Sequence, residues 1–332
     1  MKRAAILSFS DRGAETAARV TAALAGWQVK CYRPKGDLKP LVAELFSGVE
    51  ALVFVGACGI AVRAIAPHIV SKAVDPAVLV VDERGAYVIS LLSGHISGAN
   101  DLARRVAATI GATPVITTAT DVNRRFSADA WAARRGLLIE DMAAAKRFSA
   151  EILKRDLPVR SDFPIEGPLP PGLYEGDSGD CGLLIACQAA RPFDTTLLLI
   201  PKILHVGVGC RRGIGADKIC AAIEAALASA GLCPRAVASA ASIDVKRDEA
   251  GLTAWAKSMD LPLAFYSAEA LNAVPGDFTG SEFVRETVGT DNVCERAAML
   301  EAGDGARLIA RKTALDGVTV AVALEKWSVC FE

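Results

Sequence analysis

The stretch Ile89–Asn100 reads ISLLSGHISGAN: a β-favouring apolar run stops at Ser93-Gly94, presents one of the chain's three histidines and passes through Ser97-Gly98 into a helical pattern. An imidazole in a strand-to-helix turn is partly accessible and titrates near neutral pH, so His95 can move a proton, ligate a metal or simply bond a loop carbonyl. Ser97 or Asn100 can cap the following helix, which explains those two polar residues and leaves the histidine unexplained. Asp121, after ITTAT, is placed either to orient a base or to cap the next helix. His68 beside Pro67 and His205 within a strand read as structural.

Three glycine-bearing corners have the form of ligand contacts: FVGACGIAVR (54–63), the 89–101 stretch, and HVGVGCRRGIGADK (205–218). In open α/β sheets ligands bind beyond the carboxyl ends of strands, where glycine admits the backbone and helix N-termini offer N–H groups. Gly56, Gly59, Ser93, Gly94, Gly98, Asn100 and Gly209 are therefore expected contact positions. The first corner also reads as a plain tight turn. Cations recur beside these turns, and Arg63, Lys72, Arg211, Lys246 and Lys312 are candidate holders of an anionic ligand. GVGCRRG has the wrong glycine spacing for a dinucleotide fingerprint, and no G-K-[ST] follows any corner, which disfavours a nucleotide-dependent enzyme.

The elements that position these corners are α/β in character. AAILSF (4–9), ALVFVG (51–56), AVLVVD (77–82), YVISLL (87–92) and PVITT (114–118) read as strands, the middle pair around the turn Glu83-Arg84-Gly85. Amphipathic helical patterns lie between them, one with Leu102, Val106 and Ile110 on one side. Near-continuous apolar strands interleaved with helices predict a mainly parallel sheet covered on both faces, over residues 1–135. Prolines and glycines accumulate between about 150 and 180, predicting a small, loop-rich middle domain over 136–201. From ILHVGVGC onward a second α/β pattern fills 202–332.

Composition narrows the function classes. A length of 332 residues leaves room for two or three domains, and the uncharged apolar runs are too short for a membrane span. No signal peptide is legible at the start, so the expected location is the cytoplasm. The nine cysteines show no C-x-x-C pair, which fits reduced thiols and predicts no protein-bound metal. Net charge near −1 and 6% aromatics argue against nucleic-acid binding.

GACGIAVRAIAP, SKAVDPAVLVVDERGAYVISLLSGHISGANDLA and ITTATD resemble the N-terminal part of the CbiG family, cobalt-precorrin-5A hydrolases of anaerobic cobalamin biosynthesis. VGVGCRRG, ASIDVKRDEAGL, VCERAAML and ARKTALDGVTVAVA resemble its C-terminal domain, which is related to the CobE protein of the aerobic route. Where the family pattern leads one to expect Gly-Gly-Ala-Asn, this chain has Ser97-Gly98-Ala99-Asn100. The resemblance implies hydrolysis of a δ-lactone followed by loss of acetaldehyde, with cobalt carried by the corrinoid substrate and no separate cofactor. On that basis neutral His95 is expected to take a proton from water with Asp121 as its partner, although axial ligation of the substrate cobalt is a competing role. The glycine corners would receive the oxyanion, and the cations the substrate carboxylates. A non-catalytic corrinoid carrier is the alternative function; an S-adenosylmethionine-dependent methyltransferase lacks a recognisable site. Neighbouring biosynthetic enzymes and a second copy of the chain are the further expected partners.

Overall fold

The apolar runs of the first third lie side by side because each has two faces to bury. The computed structural model describes residues 1–71 and 74–331, and in it β1 (Arg3–Ser8), β2 (Gln28–Tyr32), β3 (Ala51–Val55), β4 (Ala77–Val81), β5 (Tyr87–Leu92) and β6 (Thr113–Val115) form one sheet. Its order is β2-β1-β3-β4-β5-β6. Alternate residues of β3 and β4 enter separate cores. Val53 and Leu79 pack with α1 (Asp11–Ala23) and α4 (Ala99–Ile110); Leu52, Phe54, Val78 and Val80 pack with α2 (Lys39–Gly48) and α3 (Cys58–Ile65). The buried stripe of α4 includes Leu102, Val106 and Ile110, each contributing roughly 1.5–3 kcal/mol by leaving water.

One strand departs from the parallel order, with consequences for the site. β1 to β4 run parallel, but β5 pairs antiparallel to β4, with Val81 opposite Val88 and Val78 opposite Leu92. The reversal is made by a turn in which Asp82 Oδ1 accepts from the N–H groups of Ala86 and Tyr87, at 2.7 and 2.6 Å, while Gly85 adopts φ +69°. The carboxyl end of β5 therefore opens at the edge where β3 and β4 begin.

Short helices α5 (Ala119–Val122) and α6 (Ala128–Arg135) complete the first compact unit, together with residues 149–156 and 170–172. The remainder forms a second unit. It contains β7 (Leu138–Ile139), most of α7 (Met142–Glu151), β8 (Leu157–Ser161), β9 (Ile165–Glu166), β10 (Leu173–Glu175), β11 (Cys181–Ile185) and β12 (Thr195–Ile200). Five of these strands make a sheet of order β10-β8-β11-β12-β7. The proline-rich stretch read as loops thus carries paired strands; Pro158 sits within β8, next to its first residue.

The rest of this unit is β13 (Leu204–Cys210), α8 (Ala216–Ser229), β14 (Val237–Ile243), α9 (Ala250–Ser258), β15 (Leu263–Tyr266), α10 (Ala268–Asn272), α11 (Glu282–Val288), α12 (Cys294–Ala302), β16 (Arg307–Leu315), β17 (Val318–Leu324) and β18 (Val329–Cys330). Its sheet has the order β15-β14-β13-β17-β16, and β18 pairs with β9. Helix α12 lies so close to β13 that a Cβ at Gly207 would stand 1.8 Å from the Cys294 carbonyl oxygen. Only glycine fits there. The mixed α/β class expected from the sequence is the class observed. Among the described residues no helix is long and apolar enough to cross a membrane.

Candidate active site around His95

The corner after β5 is built from backbone ties. Ala99 N–H donates to Ser93 O at 3.1 Å, Asn100 N–H to Gly94 O at 3.0 Å, and Gly98 N–H to His95 O at 2.9 Å. Gly98, just before α4, takes φ +77°, which glycine adopts freely; Ser93 takes φ +58°, which costs a non-glycine residue roughly 1–2 kcal/mol. Ser97 Oγ donates to Asp75 O at 2.6 Å and pins the corner to the segment before β4. Neither Ser97 nor Asn100 caps α4, contrary to the sequence reading. The Asn100 side chain turns inward instead, its Nδ2 donating to Thr118 Oγ1 and Asp121 Oδ2, both at 2.9 Å.

His95 is held on both sides. Its Nε2 donates to Asp121 Oδ2 at 2.9 Å, with Thr120 Oγ1 at 3.3 Å. Its Nδ1 lies 3.0 Å from Asp129 Oδ1 and 3.0 Å from Ser127 Oγ, and Ser127 Oγ donates to Asp129 Oδ1 at 2.8 Å. Burial disfavours the charged ring, but the Asp129 and Asp121 carboxylates outweigh it and raise the pKa above the ordinary histidine value. Burial likewise pushes Asp121 up, and its bonds from Arg104 and His95 more than reverse this, leaving its pKa below the usual carboxylate value. This arrangement favours an imidazolium over the neutral base expected from the sequence. Each ring nitrogen also has a carboxylate partner, so no free lone pair points out to a cobalt ion. Asp121 serves as partner to His95 and does not cap α5. Arg104 donates to Asp121 Oδ1 and, at 2.9 Å, to Asp101 Oδ1, which also meets Arg134 at 3.3 Å through its other oxygen.

Two cavities of the first unit meet at this histidine. One, of about 340 Å³, is lined by Ser93, Gly94, His95, Thr120 and Asp129 among others. The second, of about 250 Å³, includes Lys2, Trp27, His95, Asp101, Arg105 and Arg134 in its wall. There Lys2 Nζ stands 5.3 Å and the Arg105 guanidinium 5.6 Å from the centre of the Trp27 ring. This wall joins an aromatic surface to three cations, a combination suited to a ligand with carboxylates on an apolar frame.

The structure brings Ser93, Gly94, His95, Gly98, Asn100 and Asp121 together, and separates them from Gly56 and Gly59. Those two follow the carboxyl end of β3, and the reversal of β5 puts that end on the opposite edge of the sheet. Gly56 N–H donates to Val81 O at 2.8 Å, and a Cβ there would stand 3.0 Å from the Phe9 ring; a Cβ at Gly59 would lie 3.4 Å from the Arg63 guanidinium. This is the tight-turn reading of the first corner. Arg63 is exposed on α3, and Lys72 lies outside the described residues.

Gly209, Arg211, Lys246 and Lys312 belong to the second unit. Lys246 Nζ is already matched by Glu249 Oε2 at 3.3 Å, with both side chains largely buried. Arg211 N–H donates to Gly317 O at 3.0 Å, Lys312 N–H to Glu295 Oε1 at 2.8 Å, and a Cβ at Gly209 would stand 2.6 Å from Thr319 Oγ1. His205 is buried as expected, bonded to Ser239 Oγ at 2.8 Å and Glu325 Oε2 at 3.1 Å. Among the described residues no cysteine is in a disulfide, and no cluster of His, Cys, Asp or Glu is arranged to hold a metal ion. Sequence reasoning missed Thr120, Ser127, Asp129 and Arg104, and the wall formed by Lys2, Trp27, Arg105 and Arg134. Ser127-Ala-Asp129 ahead of an apolar helix looks like an ordinary helix start.

Residues 40–121 match the family described as cobalamin synthesis G N-terminal, and 204–323 match cobalamin synthesis G C-terminus. A cobalt-precorrin-5A hydrolase from Priestia megaterium is 34% identical over 310 residues, spanning 87% of this chain and 82% of that protein. Another, from Salmonella typhimurium, is 35% identical over 282 residues and 80% of each chain. Protein CobE from a Sinorhizobium species is 36% identical over 121 residues, 36% of this chain and 79% of CobE. With both terminal segments matched in order and the likeness running along most of two hydrolases, the chain belongs to the CbiG family.

Proposed function

We propose that this chain hydrolyses the δ-lactone of cobalt-precorrin-5A and releases acetaldehyde to give cobalt-precorrin-5B. The observation that carries the reading is the Asp121–His95–Asp129 unit at a cavity wall, in a chain related along most of its length to two proteins named for that reaction. Asp129 takes a proton from water as the water oxygen bonds to the acyl carbon, and the His95 cation offsets the charge growing on the carbonyl oxygen. When the acyl–oxygen bond breaks, the same proton passes to the departing alkoxide. In the second step the freed hydroxyl gives up its proton, the carbon–carbon bond breaks, and acetaldehyde leaves. The electron pair enters the conjugated macrocycle, which carries the cobalt, and a proton returns to the ring carbon. On this reading the substrate brings its own electron sink and no separate cofactor takes part.

Lys2, Arg105 and Arg134 would hold carboxylate arms of the macrocycle while Trp27 meets its apolar surface. The proposal places the enzyme in the cytoplasm, where its thiols stay reduced. Purified protein incubated with cobalt-precorrin-5A is expected to release trappable acetaldehyde, and the tetrapyrrole is expected to gain one water and lose the two-carbon fragment. Binding of the corrinoid with neither product would replace the hydrolase with a carrier.

A further inference from the structure

The His95 cation has no hydrogen left to give a carbonyl oxygen: Nε2 donates to Asp121 Oδ2 at 2.9 Å, and Nδ1 lies 3.0 Å from Asp129 Oδ1. Its charge can act across the cavity, but acyl transfer is stabilised most by donors about 2.7–3.1 Å from the oxygen itself. Such a donor has to come from another group of the cavity wall.

Thr118 lines this cavity with His95 and Asp129. It immediately precedes α5, where a threonine hydroxyl ordinarily accepts from a backbone N–H of the helix, and its side chain makes no such bond. Asn100 Nδ2 donates to it instead, at 2.9 Å. The direction of that bond is fixed, because Asn100 Nδ2 also donates to Asp121 Oδ2 at 2.9 Å and a flipped amide would press oxygen against a carboxylate. A hydroxyl that accepts still has its own hydrogen to give, and among the described residues no oxygen is paired with the one on Thr118. The remaining hydroxyls of the wall are placed otherwise. Ser93 Oγ is shut away from solvent, Thr120 Oγ1 sits 3.3 Å from His95 Nε2 in a buried residue, and Ser149 has a partner of its own.

We propose that Thr118 is a catalytic residue whose hydroxyl donates a hydrogen bond to the lactone carbonyl oxygen as that oxygen becomes an oxyanion. As the water oxygen bonds to the acyl carbon, the carbonyl π pair moves onto the oxygen; Thr118 contacts it and the His95 charge supports it from further away. The hydroxyl keeps its proton throughout. When the acyl–oxygen bond breaks, the pair returns to the carbonyl, and the departing alkoxide takes the proton that Asp129 drew from the water. This assignment rests on the hydrolase reading and adds the group that touches the developing charge.

The test compares Thr118→Val, which removes the hydroxyl and keeps the branched shape, with Thr118→Ser, which keeps the hydroxyl. Acetaldehyde release from cobalt-precorrin-5A is expected to fall on the order of 10²-fold in kcat for the valine variant, with KM within about threefold of the parent. The serine variant is expected to keep kcat within about fivefold. Thr118→Ala, which deletes the hydroxyl without turning a new methyl group toward Asn100, takes the place of the valine variant if that one fails to fold. A folded variant without the hydroxyl that turns over within about twofold of the parent, or a serine variant as slow as one without it, would overturn the assignment while leaving the hydrolase intact. A parent protein that binds cobalt-precorrin-5A and releases no acetaldehyde would overturn the hydrolase reading, and this role with it.

Discussion

Asp129→Asn tests the doubly held imidazolium most directly. The substitution keeps the size of the side chain and removes one of the two carboxylates that raise the His95 pKa. A folded-state value above the unfolded one, near 6.5, means that the stabilisation is fully present below about pH 6.5 and fades as the pH rises through the folded value. Each tenfold gain in proton affinity is worth about 1.4 kcal/mol to the folded protein at the acid end of that window. His95 and Asp129 are both well buried, at 15% and 6% side-chain exposure, so solvent screens little of it. The variant should therefore lose stability, on the order of 1–3 kcal/mol at pH 6 and less at pH 8.5, since a neutral amide still offers an oxygen to the ring. Urea unfolding of parent and variant at both pH values, with the His95 ring titrated by NMR, measures this difference. Removal of the base should also lower acetaldehyde release by about 10²–10⁴-fold. An unchanged titration of His95, together with the same stability difference at both pH values, would refute the account of the carboxylate pair; turnover within threefold would remove Asp129 as base.

Two further predictions concern packing and binding. Gly207→Ala places a methyl group 1.8 Å from the Cys294 carbonyl oxygen, so the β13–α12 contact must open; a loss above about 3 kcal/mol, or insoluble protein, is expected in thermal melts. Arg105→Gln removes one cation from the Trp27 wall and should raise KM severalfold with kcat unchanged, while flattening the salt dependence of binding; unaltered KM at low salt would dissociate that wall from the substrate.

Much of the fold was legible because β3 and β4 are apolar at every position and α4 carries a clean helical stripe. The position of the lone corner histidine was legible for a related reason: no packing rule asks for imidazole between two glycine steps. The carboxylate pair that holds it was not legible. Asp129 lies 34 positions along the chain from His95, within a pattern that any helix start would show, and only the folded corner brings the two side chains to 3.0 Å. That the first two glycine corners open on opposite edges of their sheet turns on a single pairing direction. The turn between AVLVVD and YVISLL is too short for a parallel crossover, so the antiparallel run of β5, and with it the edge on which its end opens, follows from the turn at Asp82. Asn100 reads from the sequence as a possible cap or ligand contact; its side chain turns inward instead of capping, because backbone bonds already close the start of α4 and leave its amide free for Asp121.

The backward run of β5 leaves the rim at the carboxyl ends of β1 to β3 free of the chemistry assigned to the other rim. Five residues of β3 at about 3.3 Å each separate the two rims by some ~16 Å, and the exposed thiol of Cys31 lies near the carboxyl end of β2, at the border strand farthest from β6. A maleimide dye attached there would ride on the first unit beyond the rim that carries His95, giving a fluorescent handle for following corrinoid capture in real time.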